Sequence, residues 1–105
     1  MKANLYIDHI EIGNLSLEIT DESMGVLSGR LNPNKNYENF QSKILNNFDE
    51  KGISNITDFN YIIILQNGYI LLPEGGIGII HSREFIDEIL VETAGNNIEN
   101  IKNYG

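Results

Sequence analysis

Apolar and polar positions alternate along much of this chain, and the apolar ones are densest in one stretch. Phe59 to Leu72, FNYIIILQNGYILL, reads as two strands meeting at Asn67-Gly68. Asn-Gly suits the two central positions of a type I′ turn, both of which need positive φ. That turn sets Gln66 opposite Tyr69, Leu65 opposite Ile70, Ile64 opposite Leu71 and Ile63 opposite Leu72. One face then carries Phe59, Tyr61, Ile63, Leu65, Ile70 and Leu72. The other carries Ile62, Ile64 and Leu71, with Asn60 and Gln66 towards its ends. Both faces are apolar in the middle, so the pattern predicts an interior pair covered on both sides.

The N-terminal third follows a two-residue period. Leu5 to Ile12 and Leu15 to Thr20 read as strands joined at Gly13-Asn14, a pair suited to a type II′ turn. Counting back from that turn pairs Ile12 with Leu15, Ile10 with Leu17 and Asp8 with Ile19 on an inward face. His9 falls opposite Glu18 on the outward one. Met24 to Leu31 reads as a third strand holding Gly25 and Gly29, which suggests a bulge or another backbone packed close. Asn32-Pro33-Asn34 ends it, and Asn34 or Asn36 can cap the next element.

From Lys35 the period changes to that of a helix. Tyr37, Phe40, Ile44, Leu45 and Phe48 form one apolar stripe over Lys35 to Glu50, with Asn46 and Asn47 outside it, and Gly52 offers a left-handed stop. Residues 53–58 connect this helix to the central hairpin. Pro73-Glu74-Gly75-Gly76 reads as a turn and Ile77 to Ile80 as a short strand. Residues 83–95 fit two patterns: a helix capped by Ser82, with Phe85, Ile86, Ile89 and Leu90 on one side, or a strand rich in β-branched residues. Residues 96–105 read as a loosely docked tail with Ile98 and Ile101 as anchors. The expected fold is therefore α+β: an antiparallel β-sheet of five or six strands, the helix at about 35–50 packed on one face, and a C-terminal segment that is helix or strand.

A chain of 105 residues makes a single small globular domain. It can bury a core without staples, and it has no Cys for disulfides or thiolate metal sites. The start, MKANLYIDHIEIG, lacks the basic opening and unbroken apolar core of a signal peptide, so a cytoplasmic location is expected. Fifteen acidic against seven basic side chains give a formal charge of −8. That opposes nucleic acid and anionic membranes as partners and favours a basic protein, or plain solubility.

Candidate chemistry is sparse. A His9–Glu18–Glu11 group would be a small metal or acid–base site, but an exposed cross-strand charge pair explains the same residues. His81-Ser82 are neighbours in sequence, which is no basis for a catalytic triad. Glu74-Gly75-Gly76-Ile77-Gly78 lacks the spacing of a phosphate-binding loop and reads as a tight turn. No catalytic residue, cofactor site or metal site is expected. What remains is the placement of acids at element ends and on one polar face: Asp21, Glu22, Asp49, Glu50, Glu84, Asp87, Glu88 and Glu92. If these converge they form a negative face that steers a basic partner. The expected function is a non-catalytic acidic protein-binding domain, such as an immunity-type or antitoxin-like inhibitor of a basic protein. The alternatives are a structural or assembly subunit that forms a homo-oligomer through a sheet edge, and a small enzyme with an unrecognised pocket.

Overall fold

The computed structural model describes residues 1–104. The chain is α+β, and one antiparallel sheet dominates it. Strands β1 (Lys2–Ile7), β2 (Ile10–Ser16) and β4 (Val26–Pro33) form its centre. The short β3 (Glu18–Asp21) continues the line of β2 along β4, since Glu18↔Ser28 keeps the register of Leu15↔Leu31. β6 (Tyr61–Leu65) lies outside β1. β8 (Leu90–Thr93), β7 (Ile77–Ile80) and the two-residue β5 (Ser54–Asn55) extend the sheet beyond β4. Eight strands replace the expected five or six, because Glu18–Asp21, Ser54–Asn55 and Leu90–Thr93 all join the ladder.

The sheet curls until its ends meet. β5 and β6 stand at opposite ends of the strand order, yet Tyr61 Oη lies 2.7 Å from Ser54 Oγ. Asn47 Nδ2 of α1 (Glu38–Lys51) donates to the same Ser54 Oγ at 3.1 Å. The helix therefore packs where the sheet ends meet. Its stripe supplies Ile44 and Leu45 to the interior, together with Tyr37 from the 3₁₀ turn Lys35–Tyr37 that opens it. Asn34 caps that turn by accepting from Asn36 N–H at 2.9 Å, and Gly52 closes the helix at φ 80°. Asn47, expected outside the stripe, is buried because Ser54 needs its amide.

Two turns differ from the sequence expectation. In the first hairpin the chain reverses at Asp8-His9, with Ile7 opposite Ile10 and Asp8 at φ 56°. Gly13-Asn14 lies inside β2, paired with Leu5 and Asn4. Gly13 serves there as a close-approach residue: a Cβ on it would stand 2.3 Å from Asn32 O of β4. His9 is consequently exposed at a turn, and Glu18 pairs with Ser28 rather than with it.

The second turn is a three-residue loop rather than type I′. Gly68 N–H donates to Leu65 O and Leu65 N–H donates to Tyr69 O, both at 2.8 Å. Only Gly68 has positive φ, at 92°, which is the pattern of a type I turn closed by one left-handed residue. Ile64 then faces Ile70 instead of Leu71. A one-residue slip inverts a strand's faces. Leu71 turns inward and is buried, while Ile70 is 50% and Leu72 81% exposed. Tyr61, Ile63 and Leu65 are buried as expected, but the opposite face carries no covering layer and Ile62 and Ile64 are only half-buried.

Residues 83–95 form a turn followed by the strand β8 rather than a helix. Val91 and Thr93 point inward in β8 with Ile89 just before it, and that period of two suits their β-branched side chains. Beyond Gly95, α2 (Ile98–Tyr104) buries Ile98 and Ile101. Asn97 Oδ1 accepts from Asn100 N–H at 3.0 Å at its start, and Lys102 pairs with Glu22.

Candidate functional site

The loop joining β7 to β8 gathers more exposed acid and apolar surface than any other expected site region. His81 ends β7's inward course and is almost fully buried. Its Nε2 lies 2.7 Å from Ile86 O, which can only accept, so Nε2 donates there. Nδ1 lies 2.8 Å from Tyr37 Oη. Burial also holds the Tyr37 phenol well above its usual range. Ser82 Oγ accepts from Phe85 N–H at 3.1 Å, and Glu88 N–H donates to Phe85 O at 3.0 Å. His81 thus faces a tyrosine and a carbonyl, with neither Ser82 nor a carboxylate as partner. Its role is to pin the loop from beneath.

The pinned loop presents its side chains outward. Phe85 is 61% exposed, and Ile86 and Leu90 beside it are also exposed. The helix alternative for 83–95 sets these three on one side with Ile89; the strand register and the His81 anchor separate them from the buried Ile89 and turn them out. Glu84, Asp87 and Glu88 stand on the same loop and line a groove of about 380 Å³ with Phe85, Ile86 and Arg30. A second groove of about 290 Å³ adjoins it across Arg30, lined by Leu90, Ile80, Ser28, Glu18 and Glu92. The register Glu18↔Ser28↔Glu92 sets both carboxylates on one sheet face. An apolar strip with acids along its margins results, and Arg30 is the basic residue at its centre. The only advance signal was the interleaving of Phe85 and Ile86 with Glu84, Asp87 and Glu88.

The remaining expected acids divide into two further places. Asp49 accepts from Arg83 Nε at 2.8 Å, and Arg83 also donates to Asn46 Oδ1 at 2.6 Å, which ties the end of α1 to the loop beside Glu84. Glu50 is exposed on that helix end. Asp21 and Glu22 lie at the β3–β4 turn, with Asp21 opposite Val26 at the start of β4, four residues along the strand from Arg30. Asp21 Oδ1 accepts from Ser23 Oγ and from Met24 N–H, and these bonds hold its carboxyl below the usual range. It shapes the turn. Glu22 is occupied by Lys102. The acids therefore make one continuous group at 84–92 with Asp49 adjoining, and a separate pair at 21–22.

Other candidate chemistry finds structural roles. Gly75 sits against Ala94, where a Cβ would approach its side chain and carbonyl to 3.0 Å, as expected of a tight turn with close-packed backbone. The cleft beside it, about 250 Å³, is lined by Ile53, Ile56, Gly76, Gly78 and Ala94 among others. Among the described residues no group of three His, Asp or Glu side chains is placed to hold a metal ion. No helix among them is long and apolar enough to cross a membrane. No protein-family model, curated protein or solved structure matches this chain significantly.

Proposed function

We propose that this chain is a non-catalytic protein-binding domain that docks a basic partner on the face formed by the 82–89 loop and β8. One observation carries the reading: Phe85, Ile86 and Leu90 stand exposed as a strip bordered by Glu84, Asp87, Glu88 and Glu92. Desolvated aromatic and aliphatic anchors supply most of the energy of a protein interface, and surrounding charge sets its on-rate and partner choice. The formal charge of −8 extends the same field over the molecule. An immunity-type or antitoxin-like inhibitor of a basic protein fits this chemistry, with the apolar strip seating a hydrophobic side chain and the acids meeting Lys and Arg around it. A cytoplasmic site of action is consistent with that role.

The test is capture on the immobilised chain at low and then high salt, with three variants compared. Asp87→Lys/Glu88→Lys and Phe85→Ala are expected to lose a salt-released basic partner while each still melts in one cooperative transition no lower than the wild type by more than a few degrees. Asp21→Lys lies at the β3–β4 turn and is expected to retain it. Capture unaffected by both face variants would overturn the reading.

A further inference from the structure

The outward side of β6, β1 and β2 is a second region of the curled sheet, continuous across β4 with the side that carries Leu90 and Glu92. Paired residues set one row across it: Ile70, Ile64, Asn4, Asn14 and Asn32. Next to that row stand Ile62 and Tyr6, and Leu72 projects away from the buried Leu71. The row contains no ionised side chain. The row crosses β6, β1, β2 and β4 and reaches the 69–72 segment without a charge. The ionised residues beside it have opposite sign: Lys2, opposite Ser16, and Arg30, two residues along β4 from Asn32, on one side, and Glu11, opposite Tyr6 and with its Oε2 3.4 Å from Asn34 Nδ2, on the other. The backbone edge of β6 is already occupied, since Leu71 N–H donates to Ile63 O and Leu65 N–H to Tyr69 O. At the other end of the sheet, Asn55 N–H of β5 donates to Asp58 Oδ2 at 2.9 Å.

We infer that this face binds a second copy of the chain in a two-fold dimer, through side chains rather than through a strand edge. Three features select a copy over another protein. A molecule of charge −8 repels itself wherever acids face acids, and this row is where two copies can approach without that repulsion. A two-fold axis through the row brings Lys2 of each copy over Glu11 of the other, so the flanking charges become complementary. The isoleucines are self-complementary by burial, and each Asn amide offers both a donor and an acceptor to the same group on the other copy. This inference goes beyond the proposed basic-partner face and uses none of its apolar anchors or acids.

Sedimentation equilibrium of the whole chain over a wide concentration range tests it. The expected result is a monomer–dimer equilibrium that tightens with added salt, because screening removes the −8 against −8 repulsion. Leu72→Glu and Ile70→Glu change exposed side chains and are expected to keep the wild-type melting temperature. Each is expected to weaken dimerisation about tenfold or more. Lys2→Glu is expected to weaken it less, and Leu90→Glu, on β8 beyond β4, not at all. Leu72→Glu decides the matter if Ile70→Glu disturbs the fold. A single-chain mass at every concentration would overturn the inference. So would a dimer indifferent to Leu72→Glu, or one lost in Leu90→Glu, which would move the interface to the acid-bordered face. Basic-partner capture has the opposite salt dependence, so either reading can fail without the other.

Discussion

Buried polar side chains decide how individual residues are placed in this protein. Tyr61, Ser54 and Asn47 form one chain of hydrogen bonds, and Tyr37 with His81 forms another. Replacing Tyr37 by Phe would leave His81 Nδ1 buried without its partner. We expect a loss of about 1–3 kcal/mol in urea unfolding, with the Phe85 loop loosened in hydrogen exchange. A second prediction concerns alkaline pH. Burial raises the Tyr61 phenol from its usual 10 to about 12, against a smaller opposing effect of its bond to Ser54. The folded protein therefore holds a proton that the unfolded chain has lost. Stability from this source is complete below pH 10 and declines as the pH rises through 12. Its size is on the order of 2 kcal/mol for Tyr61, and the buried Tyr37 acts in the same direction. Tyr61→Phe should be less stable than wild type at neutral pH, yet lose less additional stability between pH 9 and 11. Unfolding free energies measured at both values check the sign.

At the scale of elements, glycines separate two kinds of constraint. Gly29 lies in β4 where a Cβ would come 2.1 Å from Ser16 O, a backbone atom that cannot swing away. Gly68 has open space around its Cα and only its φ of 92° to protect it. Gly29→Ala is thus expected to destabilise by more than Gly68→Ala, whose cost is about 1–2 kcal/mol of backbone strain. Gly68→Val should cost more than Gly68→Ala, because β-branching further disfavours positive φ. Chemical denaturation of the three variants ranks them. The close approach at Gly29 was legible in the sequence as glycine within a strand pattern. The register at Gly68 was not. Both a two-residue and a three-residue loop accommodate Asn-Gly, and the bond of Tyr69 N–H to Asn67 Oδ1 at 3.0 Å belongs to the longer one.

For the whole molecule, charge is the dominant property. Eight excess acids spread over a chain of this size oppose compaction, so its melting temperature is expected to rise as salt is added from low ionic strength. Thermal melts across a salt series check this. The ion pair Arg83–Asp49 is too exposed to reverse the trend by being screened. Distribution of the acids was only partly legible. Composition established how many there were and local spacing put Glu84, Asp87, Glu88 and Glu92 near one another. Whether Asp21 and Glu22 joined them depended on the direction of β4 past β8, which no local pattern encodes.

By itself the sequence determined the α+β class and the inward faces of β6 and α1. A period-two run specified β6, a period of 3.6 specified α1, and Gly52 and Asn34 marked the ends of the helical stretch, because these signals depend on neighbouring residues alone. Tertiary structure decided what required distant partners. It chose strand over helix for Leu90–Thr93, since β4 and β7 together offered backbone pairing on both sides. It moved the first turn to Asp8-His9, since Gly13 was needed where β4 passes close. It turned Phe85 and Ile86 outward by fixing His81 beneath them, and it left the second apolar face of β6 uncovered. Each of these outcomes rests on contacts between residues far apart in sequence, whose energies appear only once the chain has closed on itself.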